Sequence, residues 1–247
     1  MSIPLVIPQV IGHRGAAASA PENTLAGFRK AKALGCLWVE FDVRLAADGG
    51  LAVIHDPTLE RTTGVEGRVI DRGLDELARL DAGDGEGVPS LVRVLDLLAE
   101  LGLGANVEVK AESEAAAGVT GALAAVVCEQ ARHRHDIELL LSSFSPAALA
   151  AARGAAPDLP RGLLRASAGR DWREATAALG CISLHIATSR ADRVLADAVH
   201  GSGLRLLAYT VNDPAHARAL FAQGVDGLFS DCPERLLTAL SDGSRQI

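Results

Sequence analysis

From residue 9 to residue 230 the chain alternates between two textures. Short runs rich in Val, Ile and Leu recur: "QVIG", "LWVEFDV", "LAVI", "ANVEV", "IELLLSS", "RGLL", "CISL", "RLLAYTV" and "VDGLFS". Between most of them lie Ala/Leu-rich stretches with helical spacing, among them "TLAGFRKAKALG" and "PSLVRVLDLLAELG". The first has Gly35 at a helix C-cap. The second has Ser90 as N-cap and puts Leu91, Leu95 and Leu98 on one face. Strand then helix, repeated about eight times, is the pattern of a parallel sheet with helical crossovers. Runs that are continuously apolar fit strands covered on both faces. That many units in 247 residues favour an α/β fold closed into a (β/α)8 TIM barrel. An open doubly wound sheet is the alternative.

One stretch breaks the rhythm. Residues 57–88 are polar and glycine-rich with a single short helical pattern, "LDELARL". They read as a small insertion after the second βα region, between a strand and its helix. No linker divides the chain, so residues 1–247 are expected to form one domain.

Composition narrows the function. Apolar residues make up 49%, enough for a large core, and the net charge is −7. An acidic chain lacks the basic face of a sequence-independent nucleic-acid binder, so nucleic acid is not an expected partner. An anionic small molecule is not excluded, because a bound metal or local cations can reverse the field. The start "MSIPLVIPQV" has no basic n-region, and no apolar run approaches the roughly 20 residues of a membrane span. A soluble, cytoplasmic protein without a membrane partner is expected, and a homo-oligomer is compatible with the sequence. Cys36, Cys128, Cys181 and Cys232 have neither metal-binding nor disulfide spacing and read as small buried hydrophobes.

Chemistry-bearing residues collect at the ends of the apolar runs. His13 and Arg14 follow "QVIG", Glu40 and Asp42 lie within and after "LWV", His55 and Asp56 follow "LAVI", and Glu108 and Lys110 stand in "NVEVK". In a barrel such ends form the active-site mouth. Glu40 and Asp42 are two apart and share one face of a strand, as do Glu108 and Lys110. Three carboxylates side by side resist ionisation unless a cation is present. An all-oxygen set suits a hard divalent ion, Mg2+ or Ca2+, better than zinc. The structural alternative is buried ion pairing with Arg14 and Lys110. Two histidines beside an ion could share proton transfer. Arg14 and Lys110 could grip an oxyanion. Together these describe a site for a phosphate anion.

In order along residues 9–240, "GHRG…PENT", "VEFDVRLAADGGLAVIHDPTLERTTG", "VPSLVRVLDLL", "NVEVK", "LSSF" and "LAYTVN…GVDGLFSDCPERL" resemble the glycerophosphodiester phosphodiesterases, and the C-terminal part is similar to their bacterial cytoplasmic branch. The resemblance implies metal-dependent hydrolysis of a small glycerophosphodiester to glycerol 3-phosphate and an alcohol. It maps metal carboxylates onto Glu40, Asp42 and Glu108, acid/base histidines onto His13 and His55, and phosphate-gripping cations onto Arg14 and Lys110. His185, after "ISL", and Tyr209, where the family often has Trp, are taken as further substrate contacts. The substrate's own 2-hydroxyl could attack, giving a cyclic phosphate that water opens. Two competing functions are a lysophospholipase D-like enzyme on the same scaffold and a non-catalytic glycerophosphodiester binder.

Overall fold

Eight parallel strands close into a ring in the computed structural model, which describes residues 5–111 and 113–243. In chain order they are β1 (Val10–Gly12), β2 (Trp38–Leu45), β4 (Gly104–Val109), β5 (Leu139–Ser143), β6 (Arg161–Arg165), β7 (Ser183–Ala187), β8 (Arg205–Tyr209) and β9 (Gly227–Ser230). Each pairs with the next, and β1 pairs with both β2 and β9, which shuts the barrel. Crossover helices α1 (Leu25–Ala33), α4 (Leu91–Leu101), α5 (Glu114–His135), α6 (Pro146–Ala155), α7 (Trp172–Leu179), α8 (Arg193–His200), α9 (Pro214–Ala222) and α10 (Pro233–Gly243) follow the strands.

The local signals behave as their chemistry requires. The Thr24 side chain accepts the Gly27 N–H at the start of α1, and Gly35 leaves that helix with φ +93°. Ser90 caps α4 by accepting from Arg93 N–H, and Leu91, Leu95 and Leu98 are buried. Period-two alternation along the strands makes two cores. One, including Val39, Phe41, Val107, Leu141 and Leu184, lies between sheet and helices. The other, Ile11, Trp38, Leu140, Leu207 and Phe229, fills the ring itself. At the N-terminal end of the ring Trp38 lies over Gly104, where a Cβ would come within 2.3 Å of the indole nitrogen. All four cysteines are free and buried. None of the described helices is long and apolar enough to cross a membrane.

One apolar run, "LAVI", is not a stave of the barrel. Leu51–Val53 forms β3, antiparallel to the outer end of β2, with Val43 opposite Val53. Residues 57–88 follow it with two short helices, α2 (Glu60–Thr63) and α3 (Leu74–Leu77), and a 3-10 turn at Val69–Asp71. Leu59, Val69, Leu77 and Val88 pack with Ala52 and Ile54 into a small core of their own. The segment therefore interrupts the second βα unit, between its hairpin and its helix α4.

Candidate active site

The C-terminal ends of the strands surround a cavity of about 240 Å³ lined by His13, Arg14, Glu40, His55, Glu108 and Lys110. Its walls include Phe144, Leu164, Tyr209 and Phe229. The paired strands β2 and β4 supply the acids: Asp42 lies opposite Glu108, and Glu40 opposite Asn106. Oxygens of Glu40, Asp42 and Glu108 come within 4.8 Å of one another, all buried. Their surroundings pull them apart. Burial and the neighbouring Asp42 push the Glu40 carboxyl up to about 8. Burial and Asp42 also raise Glu108. For Asp42 burial is outweighed by Lys110 and Arg14, and its pKa is lowered. Lys110 Nζ lies 3.3 Å from Asp42 Oδ1 and 2.6 Å from Glu108 Oε1. Asn23, in the left-handed region at φ 58°, donates to Asp42 Oδ2 at 3.0 Å.

Arg14 sits at φ 50° on the turn after β1 and donates its N–H to Glu40 Oε2 at 3.0 Å. Its guanidinium reaches Glu22 Oε1 at 3.0 Å and Asp42 Oδ2 at 3.5 Å. The turn requires Gly15 behind it, where φ is +92° and a Cβ would lie 2.8 Å from the Gly27 carbonyl carbon.

The two histidines are built alike and arrive differently. His13 follows β1, and its Nδ1 lies 2.6 Å from Asp231 Oδ1. That leaves Nε2 3.8 Å from Glu40 Oε2. Burial would lower the His13 pKa, but the hydrogen bond to Asp231 and the charge of Glu40 raise it overall. His55 follows β3, so it reaches the mouth from the hairpin and not from a stave. Ile54 N–H donates to Asp42 O at 3.0 Å, and Arg44 Nε holds the His55 carbonyl at 2.8 Å. His55 Nδ1 pairs with Asp56 Oδ1 at 2.6 Å. Burial is the largest influence on His55 and its pKa is lowered. In each pair the carboxylate takes Nδ1–H, so Nε2 is the nitrogen free to exchange a proton.

The residues expected to hold metal, phosphate and proton thus meet in one place. His185 does not join them. It lies mid-strand in β7, fully buried, with Nε2 2.9 Å from Ser183 Oγ and its ring 5.4 Å from that of Phe229. Burial drives its pKa down to about 3, its Nδ1 has no hydrogen-bond partner among the described residues, and it is not among the residues that line the cavity. The sequence placed it at a strand end because "ISL" stops there, but β7 runs on to Ala187. Tyr209 lines the cavity with its ring, while its hydroxyl donates to Arg165 O at 3.0 Å.

Asp231 carried no role in the sequence. The signal was present: it follows "LFS" as His13 follows "VIG", and Gly12 is register-paired with Ser230. Asn212 holds it from behind, donating to Asp231 Oδ2 at 2.8 Å. The donor set fits a hard divalent ion. Three buried carboxylates converge, and Glu40 Oε1 has no hydrogen-bond partner among the described residues.

Known proteins resemble this one along nearly its whole length. Residues 13–235 match the model of the glycerophosphoryl diester phosphodiesterase family. The glycerophosphodiester phosphodiesterase of Caldanaerobacter subterraneus is 33% identical over 242 residues, covering 95% of this chain and 98% of the relative. A phosphodiesterase of Oleispira antarctica, solved with the product sn-glycerol-3-phosphate, superposes with a TM-score of 0.89 at 36% identity, covering 95% of this chain and 97% of that one. The glycerophosphodiester phosphodiesterase of Agrobacterium tumefaciens gives 0.78 at 27% identity, with 94% and 100% covered.

Proposed function

This chain belongs to the glycerophosphoryl diester phosphodiesterase family and is an enzyme that hydrolyses glycerophosphodiesters, and we propose that it does so in the cavity at the strand ends, with Glu40, Asp42 and Glu108 holding Mg2+ or Ca2+. The observation that carries the reading is the buried carboxylate trio flanked by two histidine–aspartate pairs. A bound divalent ion supplies charge neutralisation for the phosphoryl oxygens and a fixed point for the diester.

The chain's own groups do the rest. Arg14 and Lys110 face the cavity and steady the non-bridging oxygens. The apolar wall of Phe144, Leu164 and Phe229, with the Tyr209 ring, packs the carbon skeleton and excludes water. His55, with its lowered pKa, is the group ready to accept a proton from the attacking hydroxyl. His13, with its raised pKa, is ready to donate one to the leaving alcohol oxygen. In this reading the substrate's 2-hydroxyl attacks phosphorus, the bond to the alcohol breaks, and water then opens the cyclic phosphate to glycerol 3-phosphate. A rapid-quench time course that never contains the cyclic species rejects that order of events.

Residues 1–247 act as one catalytic domain carrying the insertion 57–88. The substrate is a small cytoplasmic diester and not a membrane lipid or a nucleic acid. The deciding assay measures glycerol 3-phosphate release from a panel of head groups, including lysophosphatidylcholine, with chelator and with Mg2+ or Ca2+ restored. Release that chelator does not abolish refutes the metal role. Tight binding of glycerophosphocholine without turnover favours a binder instead.

A further inference from the structure

We propose that Arg61, on helix α2 of the insertion, is a positioning residue that aims His55 through Asp56; this rests on the reading of His55 as a proton-transfer group. Asp56 has two carboxylate oxygens and divides them. Oδ1 takes His55 Nδ1 at 2.6 Å, and Oδ2 takes Arg61 Nε, the one donor to that oxygen among the described residues. The hydrogen bond from Arg61, joined by that from His55, outweighs burial and takes the Asp56 pKa down to about 2. The other edge of the same guanidinium grips Glu22 with both nitrogens, Nη1 to Oε2 at 3.0 Å and Nη2 to Oε1 at 2.7 Å. Glu22 Oε1 also receives Arg14 Nη1 at 3.0 Å.

A continuous line therefore runs His55–Asp56–Arg61–Glu22–Arg14. It joins one arm of the proton-transfer pair to a phosphate-gripping cation, across two loops that share no strand. Its end in the insertion is firm, because Leu59, two residues before Arg61, is fully buried in the insertion's own core. The planar guanidinium suits this task, since its two edges hold two carboxylates at a fixed angle. Arg61 is half exposed, and ion pairs of that kind add little to stability. What it fixes is direction. His13 needs no such brace, because Asp231 sits at the end of a stave and is held by Asn212.

The test compares kcat, KM and melting temperature for the parent, Arg61→Gln, Arg61→Lys, His55→Ala and the double variant His55→Ala/Arg61→Gln, with glycerophosphocholine and saturating divalent ion. Displacing an aligned group by about an ångström costs on the order of 10²-fold. Arg61→Gln is expected to lose roughly 10- to 100-fold in kcat, with a smaller change in KM and a melting temperature close to the parent's. Arg61→Lys recovers part of the loss, since it keeps the charge without the fork. In the His55→Ala background Arg61→Gln costs little more, as expected for a residue acting through His55. The proposal is overturned if His55→Ala is crippled while Arg61→Gln turns over like the parent. It is equally overturned if Arg61→Gln costs the same factor with and without His55. If His55→Ala itself keeps the parental rate, the underlying reading of His55 fails and the role of Arg61 falls with it.

Discussion

Two arginines at opposite ends of the barrel put the same side chain to different uses. Arg161 opens β6 at the closed end and is 5% exposed. Its guanidinium donates to the carbonyls of Ala156, Pro157, Leu159, Leu179 and Gly180. Those oxygens cluster where α6 and α7 finish, so the cation meets the negative ends of two helices. Its hydrogen bonds are spent on tying chain ends together. Arg14 sits on a left-handed turn at the open end, among carboxylates, beside a cavity. There the acids stand closer together than their hydrogen bonds can satisfy, and Glu40 Oε1 is left with no partner among the described residues. The closed end is finished by the chain alone; the open end is finished by what binds. That division follows the general rule for such barrels, in which one face carries stability and the other chemistry.

The sharpest way to break this contrast is to mutate each end and read both properties. His13→Ala should lose on the order of 10²–10⁴-fold in turnover with its melting temperature nearly unchanged; near-normal glycerol 3-phosphate release would remove the mouth's claim to the chemistry. Arg161→Met should do the reverse. It leaves several buried carbonyls without donors and should cost about 3 kcal/mol in urea unfolding. Turnover at low temperature should stay close to the parent's. Should kcat collapse while stability holds, the two ends are not separable.

A subtler effect is the pH dependence of the metal-free protein. The folded-state pKa of Glu40 stands at about 8 against an ordinary value of 4.5. Between those values the folded chain holds a proton that the unfolded chain has released. This group's contribution is therefore complete below pH 4.5 and is lost as pH climbs towards 8. His13 and Glu108, also raised, work in the same direction; the lowered His55 and His185 work against it below 6.5, and the lowered Asp42 and Asp231 act only below 3.8. Above the range of the lowered histidines Glu40, Glu108 and His13 act with one sign, so EDTA-treated protein should be less stable at about pH 8.5 than at about pH 7 in urea titrations, and added Mg2+ or Ca2+ should stabilise it more at the higher pH. Equal gains at both pH values would argue against the ion lying among these acids. Smallest of all, Tyr209→Phe should change KM by less than about threefold, because a hydrogen bond already made inside the protein contributes only modestly and the hydroxyl is committed to Arg165 O. A large rise in KM would restore that hydroxyl to substrate binding.

Much of this was legible in the residues themselves. Strand ends carry His13, Arg14 and Lys110, and the i,i+2 spacing of Glu40 with Asp42 fixes a common face whatever the barrel's details. The remainder depended on pairing between distant segments, which no local pattern encodes. Asp231 becomes the partner of His13 only because β9 closes against β1. His55 looked like the end of another stave, and only the antiparallel register of Val43 with Val53 shows that it hangs from a hairpin. His185 lies mid-strand and not at a strand end, because an apolar run ends where hydrophobicity ends, and β7 continues past that point with its histidine buried.

The hairpin carries a consequence for how such enzymes diversify. Since β3 takes no place in the ring, the arm from Ala46 to Ser90 can lengthen or shorten without altering the number of staves or the shear between them. His55, which lines the cavity, rides on that arm. Any such change would still be felt at the cavity, through His55 itself and through the contacts from Arg61 to Glu22 and from Glu22 to Arg14, so the arm is free in topology but not in chemistry.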